Sequence, residues 1–178
     1  MFHMRARFKG TTARTRLAST LLPGRRMVRM GGTWAARYRS GMLASETIVT
    51  ELYDRVWSNG EYPAIERLVA ARYVIHADPG DSWEGQALDH RTYQERVQYS
   101  RSAFPDLAFT VDETIGTDNR VAVRWSAVGT HLGDLRGLPA TGKRLTFIGQ
   151  TFYEITDGRV AGHWQVVDRL GFMQQLRS

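Results

Sequence analysis

The chain has no cysteine among its 178 residues. Disulfides, thiolate nucleophiles and cysteine-ligated zinc are thereby excluded, and a reducing, cytoplasmic setting is the expectation. Apolar residues never run to the ~18 that a bilayer-spanning helix requires, so no membrane span is expected. Acidic residues are missing from positions 1–41, which hold ten Lys or Arg. That leaves 14 of the 24 basic residues to face all 18 acidic ones in the remainder, a net charge there of −4. The overall surplus of +6 therefore describes a tail. A nucleic-acid-binding domain would carry the surplus itself, so nucleic acid is not an expected partner.

Residues 1–43 read as a basic extension without ordered structure. A stretch of Arg, Ser, Thr and Gly with no apolar periodicity cannot offset the entropy of ordering itself. Its Arg-rich, acid-poor composition also matches an organelle transit peptide. Met27, Met30 and Met42 are alternative starts, and a basic tail that touches anionic lipid or nucleic acid is a further alternative. Arg25-Arg26 lacks the apolar region that a twin-arginine signal requires.

From Ala44 to Ser178 the pattern is that of one domain, long enough for a real core. Ser45 and Glu46 suit a helix start, and Ile48, Val49, Leu52, Tyr53 and Val56 recur at helical spacing until Ser58-Asn59-Gly60. A short helix is expected from Pro63, burying Ile65, Leu68 and Val69. Arg72 to His76 reads as a strand, ADPGDSWEG as a loop, and Gln86 to about Ser102 as a helix ended by Pro105. Four strands follow. Leu107, Phe109, Val111 and Ile115 alternate in the first. Val121, Val123, Trp125 and Ala127 alternate in the second and lead to His131. Leu145 to Ile155 is apolar on both faces, and Asp157-Gly158 turns the chain into the fourth. There Val160, Trp164 and Val166 lead to Asp168. Leu170, Phe172, Met173 and Leu176 suggest a closing helix. Helices first and a meander afterwards is an α+β layout, a curved antiparallel sheet wrapped on the N-terminal helices.

The stretches LYDRVWSNGEYPAIERLVAARYVIHADPG, FPDLAFTVDETIGTDNRVAVRWSAVGTHLGDLRGLPATGKRLTF and YEITDGRVAGHWQVVDRLGFMQQL resemble the SnoaL-like polyketide cyclases, also labelled ester cyclases, of the nuclear transport factor 2-like superfamily. The likeness spans about residues 44–177. It implies a cone-shaped α+β fold, dimerisation through the sheet, and neither metal nor organic cofactor. It also implies an aspartate near the end of the last strand as acid/base for an intramolecular aldol closure, a position occupied here by Asp168. Relatives on this fold run other reactions or none, so the fold alone leaves the chemistry open.

Side chains two apart on a strand share a face, which places Asp168 beside Trp164 and Val166. Desolvation there would raise its pKa toward useful acid/base values; the competing role is to cap the last helix. His131 could polarise a carbonyl or orient the aspartate, or be a structural strand-end histidine. His76 lines the pocket or lies at the surface. Trp57, Trp83, Trp125, Trp164 and Tyr93 are candidates for stacking on a planar ligand or for plain core, Trp83 as a lid, and Gln150 for contacting a substrate oxygen or a dimer partner. His163, of opposite parity to Trp164, is expected outside the pocket, and Arg124 in an ion pair. His76, His131 and Asp168 would count as three metal ligands, but nothing in their spacing selects a metal. Three functions stand: a cofactor-independent cyclase or lyase acting on a small apolar carbonyl compound, a small-molecule-binding module, and a dimeric interaction domain.

Overall fold

The computed structural model describes residues 42–135 and 137–177. The readings of the basic tail therefore fall outside the described residues, Met42 and Leu43 excepted. Helix α1 (Ala44–Glu51) runs without a break into a π-helical segment, Leu52–Ser58. The wider turn shows in Asn59, whose N–H donates to the Asp54 carbonyl. A 3-10 turn (Tyr62–Ala64) with Pro63 leads into α2 (Ile65–Leu68), which buries Ile65 and Leu68. Next come β1 (Val69–Ala77), the two-residue β2 (Ala87–Leu88) and α3 (His90–Ala103). Asp89 caps α3, its carboxylate accepting from Thr92 N–H at 2.8 Å. Strands β3 (Ala108–Gly116), β4 (Arg120–Thr130), β5 (Arg144–Thr156) and β6 (Arg159–Val167) precede α4 (Arg169–Arg177).

One six-stranded sheet in the order β2-β1-β6-β5-β4-β3 holds all the strands. It is antiparallel except where β1 runs parallel to β6. The helices cover one face. Val49, Leu52, Val56, Leu68, Tyr73, Ile75, Val97, Val121, Val123, Leu145 and Val160 are all but sealed from water between the layers. The α+β architecture and its order of elements agree with the sequence reading. The reading missed β2, because two residues are too few to show a period.

Two bulges decide which side chains face the helices. In β3, Val111 pairs with Trp125 and Glu113 with Arg124, so Asp112 is an extra residue. The bulge reverses the parity beyond it: Thr114 is buried and Ile115 points outward, 69% exposed, away from Phe109 and Val111. In β6, Ile155 pairs with Val160 and Glu154 with Gly162, which leaves Ala161 unmatched. Val160 still faces inward, but from there the inward set is His163, Gln165 and Val167. Trp164 and Val166 face outward. The inferred face of Trp164, Val166 and Asp168 is thus corrected, and so is the outward placement of His163. The hairpin between β5 and β6 turns on Asp157 (φ 50°) and Gly158 (φ 68°), the left-handed pair that a two-residue turn demands.

Candidate functional site

Between the sheet and the helices lies a cavity of about 350 Å³. Its wall is largely aromatic. Tyr53 and Trp57 come from the π-helical segment, Tyr93 and Tyr99 from α3, Phe109 from β3, Trp125 from β4, Phe147 from β5 and Phe172 from α4. The rings lock one another. Phe104 meets Phe147 edge-on at 5.0 Å, Phe147 stacks with Phe172 at 5.1 Å, and Phe109 packs against Trp125 at 5.3 Å. Gly149 of β5 lies under the Trp125 indole. A Cβ there would stand 2.3 Å from Trp125 Cζ2, so only glycine lets the ring lie flat across the strand.

The polar part of the wall is organised by Asp78, the residue that follows β1. Its side chain is 1% exposed and accepts three hydrogen bonds: from Arg96 Nη2 (3.1 Å), Gln165 Nε2 (3.0 Å) and Arg169 Nη2 (3.0 Å). Burial pushes the Asp78 pKa up, but the charges of Arg96 and Arg169 beside it outweigh that and hold the carboxyl below its ordinary 3.8. Asp78 is an anion that stays an anion. Arg96, on the buried face of α3, also donates to Asp81 Oδ2 at 3.0 Å and lies 5.1 Å from the centre of the Trp57 ring.

His163, 2% exposed, stands beside this carboxylate. Its Nδ1 is 2.6 Å from the Tyr73 hydroxyl, and its Nε2 is 3.7 Å from Asp78 Oδ2, too far for a hydrogen bond. Nε2 has no partner, and neither does Arg96 Nε. Both residues line the cavity. Burial lowers the His163 pKa below 6.5, only partly opposed by Asp78, so the ring is neutral at neutral pH.

A chain of donors fixes the Gln165 amide. Tyr153 donates to Tyr53 (2.9 Å) and Tyr53 to Thr151 Oγ1 (3.3 Å), where Trp125 Nε1 also donates (2.9 Å). Thr151 in turn donates to Gln165 Oε1 (2.8 Å), which points Gln165 Nε2 at Asp78. Burial drives the pKa of Tyr53, Tyr73 and Tyr153 far upward, and that of Tyr93 to about 12. These phenols keep their protons.

Of the residues singled out from sequence, Trp57, Tyr93, Trp125 and Trp83 line this cavity, with Trp83 packed edge-on against Tyr99 at 5.5 Å. The others lie elsewhere. Asp168 is exposed and caps α4, accepting from Gly171 N–H at 2.8 Å. Trp164 is on the outer face, stacked on His76 at 4.0 Å, and His76 Nε2 reaches Glu154 at 3.2 Å. Gln150 is exposed on the same face, opposite Val166. His131 is buried but outside the cavity wall, stacked on Phe104 and bonded to Thr141. The parity that aimed it inward was right; its strand simply ends beyond the hollow. Arg124 pairs with Asp112 at 3.3 Å, as expected. Among the described residues no three His, Asp or Glu side chains gather as a metal-binding group, and His76, His131 and Asp168 do not converge. No described helix is long and apolar enough to cross a membrane.

The sequence reading passed over Asp78, Arg96, Gln165 and Tyr73. One signal was available: Arg96 shares the helical face of Tyr93, Val97 and Ser100, and an arginine on an apolar stripe needs a buried anion.

Comparison with known proteins places the chain. A family model, the SnoaL-like polyketide cyclase, matches residues 47–176. A candidate polyketide cyclase from Acidithiobacillus ferrooxidans is 40% identical over 76% of this chain and 95% of its own, with a TM-score of 0.71. IdmH, a candidate polyketide cyclase from Streptomyces antibioticus, is 26% identical over 75% of this chain and 99% of its own, at 0.63. A SnoaL-like polyketide cyclase from Agrobacterium tumefaciens has the same fold at 19% identity, covering 76% of this chain and 99% of its own, also at 0.63. A search of the curated proteins finds no match. The matched model runs from within α1 to within α4, well over half of the chain, and on that ground the chain belongs to the SnoaL-like polyketide cyclase family.

Proposed function

We propose that this protein binds a small, largely apolar carbonyl compound in the aromatic cavity and exchanges a proton with it through His163. The chemistry is cofactor-independent acid/base catalysis of the intramolecular aldol type. One observation carries the reading: His163 lines the cavity beside an ionised carboxylate, its buried Nε2 without a hydrogen-bond partner and 3.7 Å from Asp78 Oδ2. When Nδ1–H donates to the Tyr73 oxygen, Nε2 presents its lone pair. A proton taken there from a carbon beside a carbonyl forms an imidazolium facing Asp78, which stabilises it. The enolate carbon then attacks a second carbonyl, and the new alkoxide recovers the proton. Nothing else is consumed.

This assigns to His163 the role that the family likeness suggested for Asp168, whose carboxylate is engaged at the helix terminus. The test is α-proton exchange of 2-tetralone in D₂O, followed by NMR. Exchange should exceed the buffer rate with the native protein and with Asp168→Asn, and return to the buffer rate in His163→Asn. Native exchange at the buffer rate, or full exchange in His163→Asn, overturns the assignment. A second reading, a pocket that binds without turnover, is favoured by how fully Asp78 is already engaged; it predicts saturable tetralone binding with no exchange.

The same reading assigns the outer sheet face to a second copy of the chain. Ile148, Phe152, Trp164 and Val166 are 52, 56, 37 and 69% exposed, and Phe152 lies opposite Trp164 across the β5–β6 ladder. Four apolar side chains on two adjacent strands form a patch suited to burial against its own symmetry mate. Phe152→Glu should shift sedimentation from dimer to monomer; a native monomer sinks this assignment.

A further inference from the structure

Two arginines line the cavity, and the fold holds them differently. Arg96 is sealed in the wall, its side chain 7% exposed, with Asp78 and Asp81 both bonded to its Nη2. Arg169, the first residue of α4, stands at the rim with 43% of its side chain exposed. Its Nε–H donates to the Pro79 carbonyl at 2.6 Å and its Nη2 to Asp78 Oδ1 at 3.0 Å. Nη1 makes no hydrogen bond or ion pair among the described residues. Gly80 lets the guanidinium lie this close to the loop. A Cβ there would stand 3.1 Å from Arg169 Nε, and the backbone at Gly80 takes φ 85°. The group is therefore pinned along one edge and offers two N–H donors from the other.

Charge is spread unevenly along the wall. Asp78 and Asp81 oppose Arg96 and Arg169, so the lining is neutral as a whole. Both carboxylates bond to the buried Arg96, which gives the inner end an excess of one negative charge. The balancing positive charge is Arg169, at the water-exposed end. Asp168, its neighbour in the chain, is turned onto its own helix and accepts from Gly171 N–H at 2.8 Å. An anionic group is thus kept from the depth of the cavity, where burial and two fixed acids oppose it, and is accommodated at the rim. We infer that Arg169 anchors a carboxylate of the ligand through Nη1. The compound taken is then an amphipathic acid, its ring body against the aromatic wall and its charged end at the mouth. The inference rests on the cavity-binding part of the function proposed above, adds the ligand's charge and direction, and is independent of which group moves the proton.

The test compares 2-tetralone bearing a 6-carboxylate with its 6-carboxamide, which has the same shape and no charge. Both are titrated by calorimetry at neutral pH, with plain 2-tetralone alongside. The acid should bind roughly fivefold tighter than the amide, the upper range for an ion pair that water partly screens. In Arg169→Ala the two should bind alike. Because that variant also takes a partner from Asp78, a second measurement uses native protein only. Raising NaCl from roughly 0.05 M to 0.5 M should erase most of the acid's advantage and leave the amide little changed. An amide that binds as tightly as the acid overturns the inference while leaving the cavity reading intact. So does an advantage of the acid that survives in Arg169→Ala or in high salt. Failure of all three ligands to bind removes the cavity reading itself.

Discussion

Replacing Asp78 with alanine removes the acceptor on which three elements converge. Gln165 of β6 and Arg96 of α3 donate to it from inside the fold, and Arg169 of α4 from its edge. A hydrogen bond involving a charged group is worth roughly 1.5–3 kcal/mol. Two such bonds lie out of water, while the Arg169 contact is to a side chain 43% exposed and counts for less than about 1 kcal/mol. The larger cost is what remains. Arg96, whose side chain is 7% exposed, would keep only Asp81 as an anionic partner. Breaking a buried pair from one side costs about 3–5 kcal/mol, out of a total stability of roughly 5–15 kcal/mol. Asp78→Ala should therefore lower the free energy of urea unfolding by about 3–5 kcal/mol and the melting temperature by roughly 10–20 °C. Arg169→Ala is the control: it touches the same carboxylate and should cost less than about 1 kcal/mol. A double-mutant cycle of Asp78→Ala with Arg96→Ala should show a large coupling, because the guanidinium is then no longer left buried beside a missing carboxylate. If Asp78→Ala and Arg169→Ala cost the same, the buried network does not hold the loop to the sheet as argued.

Stability should also respond to mild acid through His163. Its folded pKa is below 6.5 because of burial, so above pH 6.5 both states are neutral and the full stability is present. As pH falls below 6.5 the unfolded chain binds the proton first, and stability declines toward the folded pKa. Asp78, lowered from 3.8, adds its own loss only below that value. Urea titrations between about pH 6.5 and 5 should show this slope in the native protein and a shallower one in His163→Gln; identical slopes would refute the assignment. Gly149→Ala should destabilise by roughly 1–3 kcal/mol or more and perturb Trp125 fluorescence, because the new Cβ meets Cζ2 at 2.3 Å; an unperturbed emission spectrum would count against the flat indole. Asp168→Ala should cost about 0.5–2 kcal/mol, the worth of an N-cap, with ligand binding unchanged; weakened binding of 2-tetralone would return Asp168 to the site.

The fold was readable because its elements are long relative to their periods. Ile48 and Val49 mark α1, Leu52, Tyr53 and Val56 mark the π-helical segment, and the β4 stripe from Val121 to Ala127 survives intact as the inward face. The site was not readable, and the reason is local. Alternation along β6 gives the correct strand and the wrong face, since one unmatched residue, Ala161, reverses everything after it. A glycine follows it in sequence, but Gly162 also has an ordinary explanation: a Cβ there would come 2.7 Å from the Val74 carbonyl oxygen. The π-helical widening at Leu52–Ser58 is equally silent in the residue types, yet it helps set where Tyr53 and Trp57 enter the cavity wall. Asp78 carried no signal either, because its partners come from β6, α3 and α4, far away in sequence.

The proposed chemistry also depends on that single bulge. With regular pairing through residue 161, β6 would turn Trp164 and Asp168 toward the helices and His163 outward. Asp78 would then lose Gln165, and Arg96 would face a lone carboxylate pair with no imidazole beside it. Instead the bulge sends the apolar Trp164 and Val166 to the outer face, where they join Ile148 and Phe152. It sends His163 and Gln165 inward, where Tyr73 and Thr151 already wait as partners. One inserted residue thus serves both faces of the sheet, supplying an apolar surface on the outside and a buried imidazole on the inside. Deleting Ala161 should keep both faces as they are, because Val160 opposite Ile155 and Gly162 opposite Glu154 then become consecutive pairs of a regular ladder. Loss of tetralone binding or a changed sedimentation in this variant would show that the faces are not set by the pairing on either side of the unmatched residue.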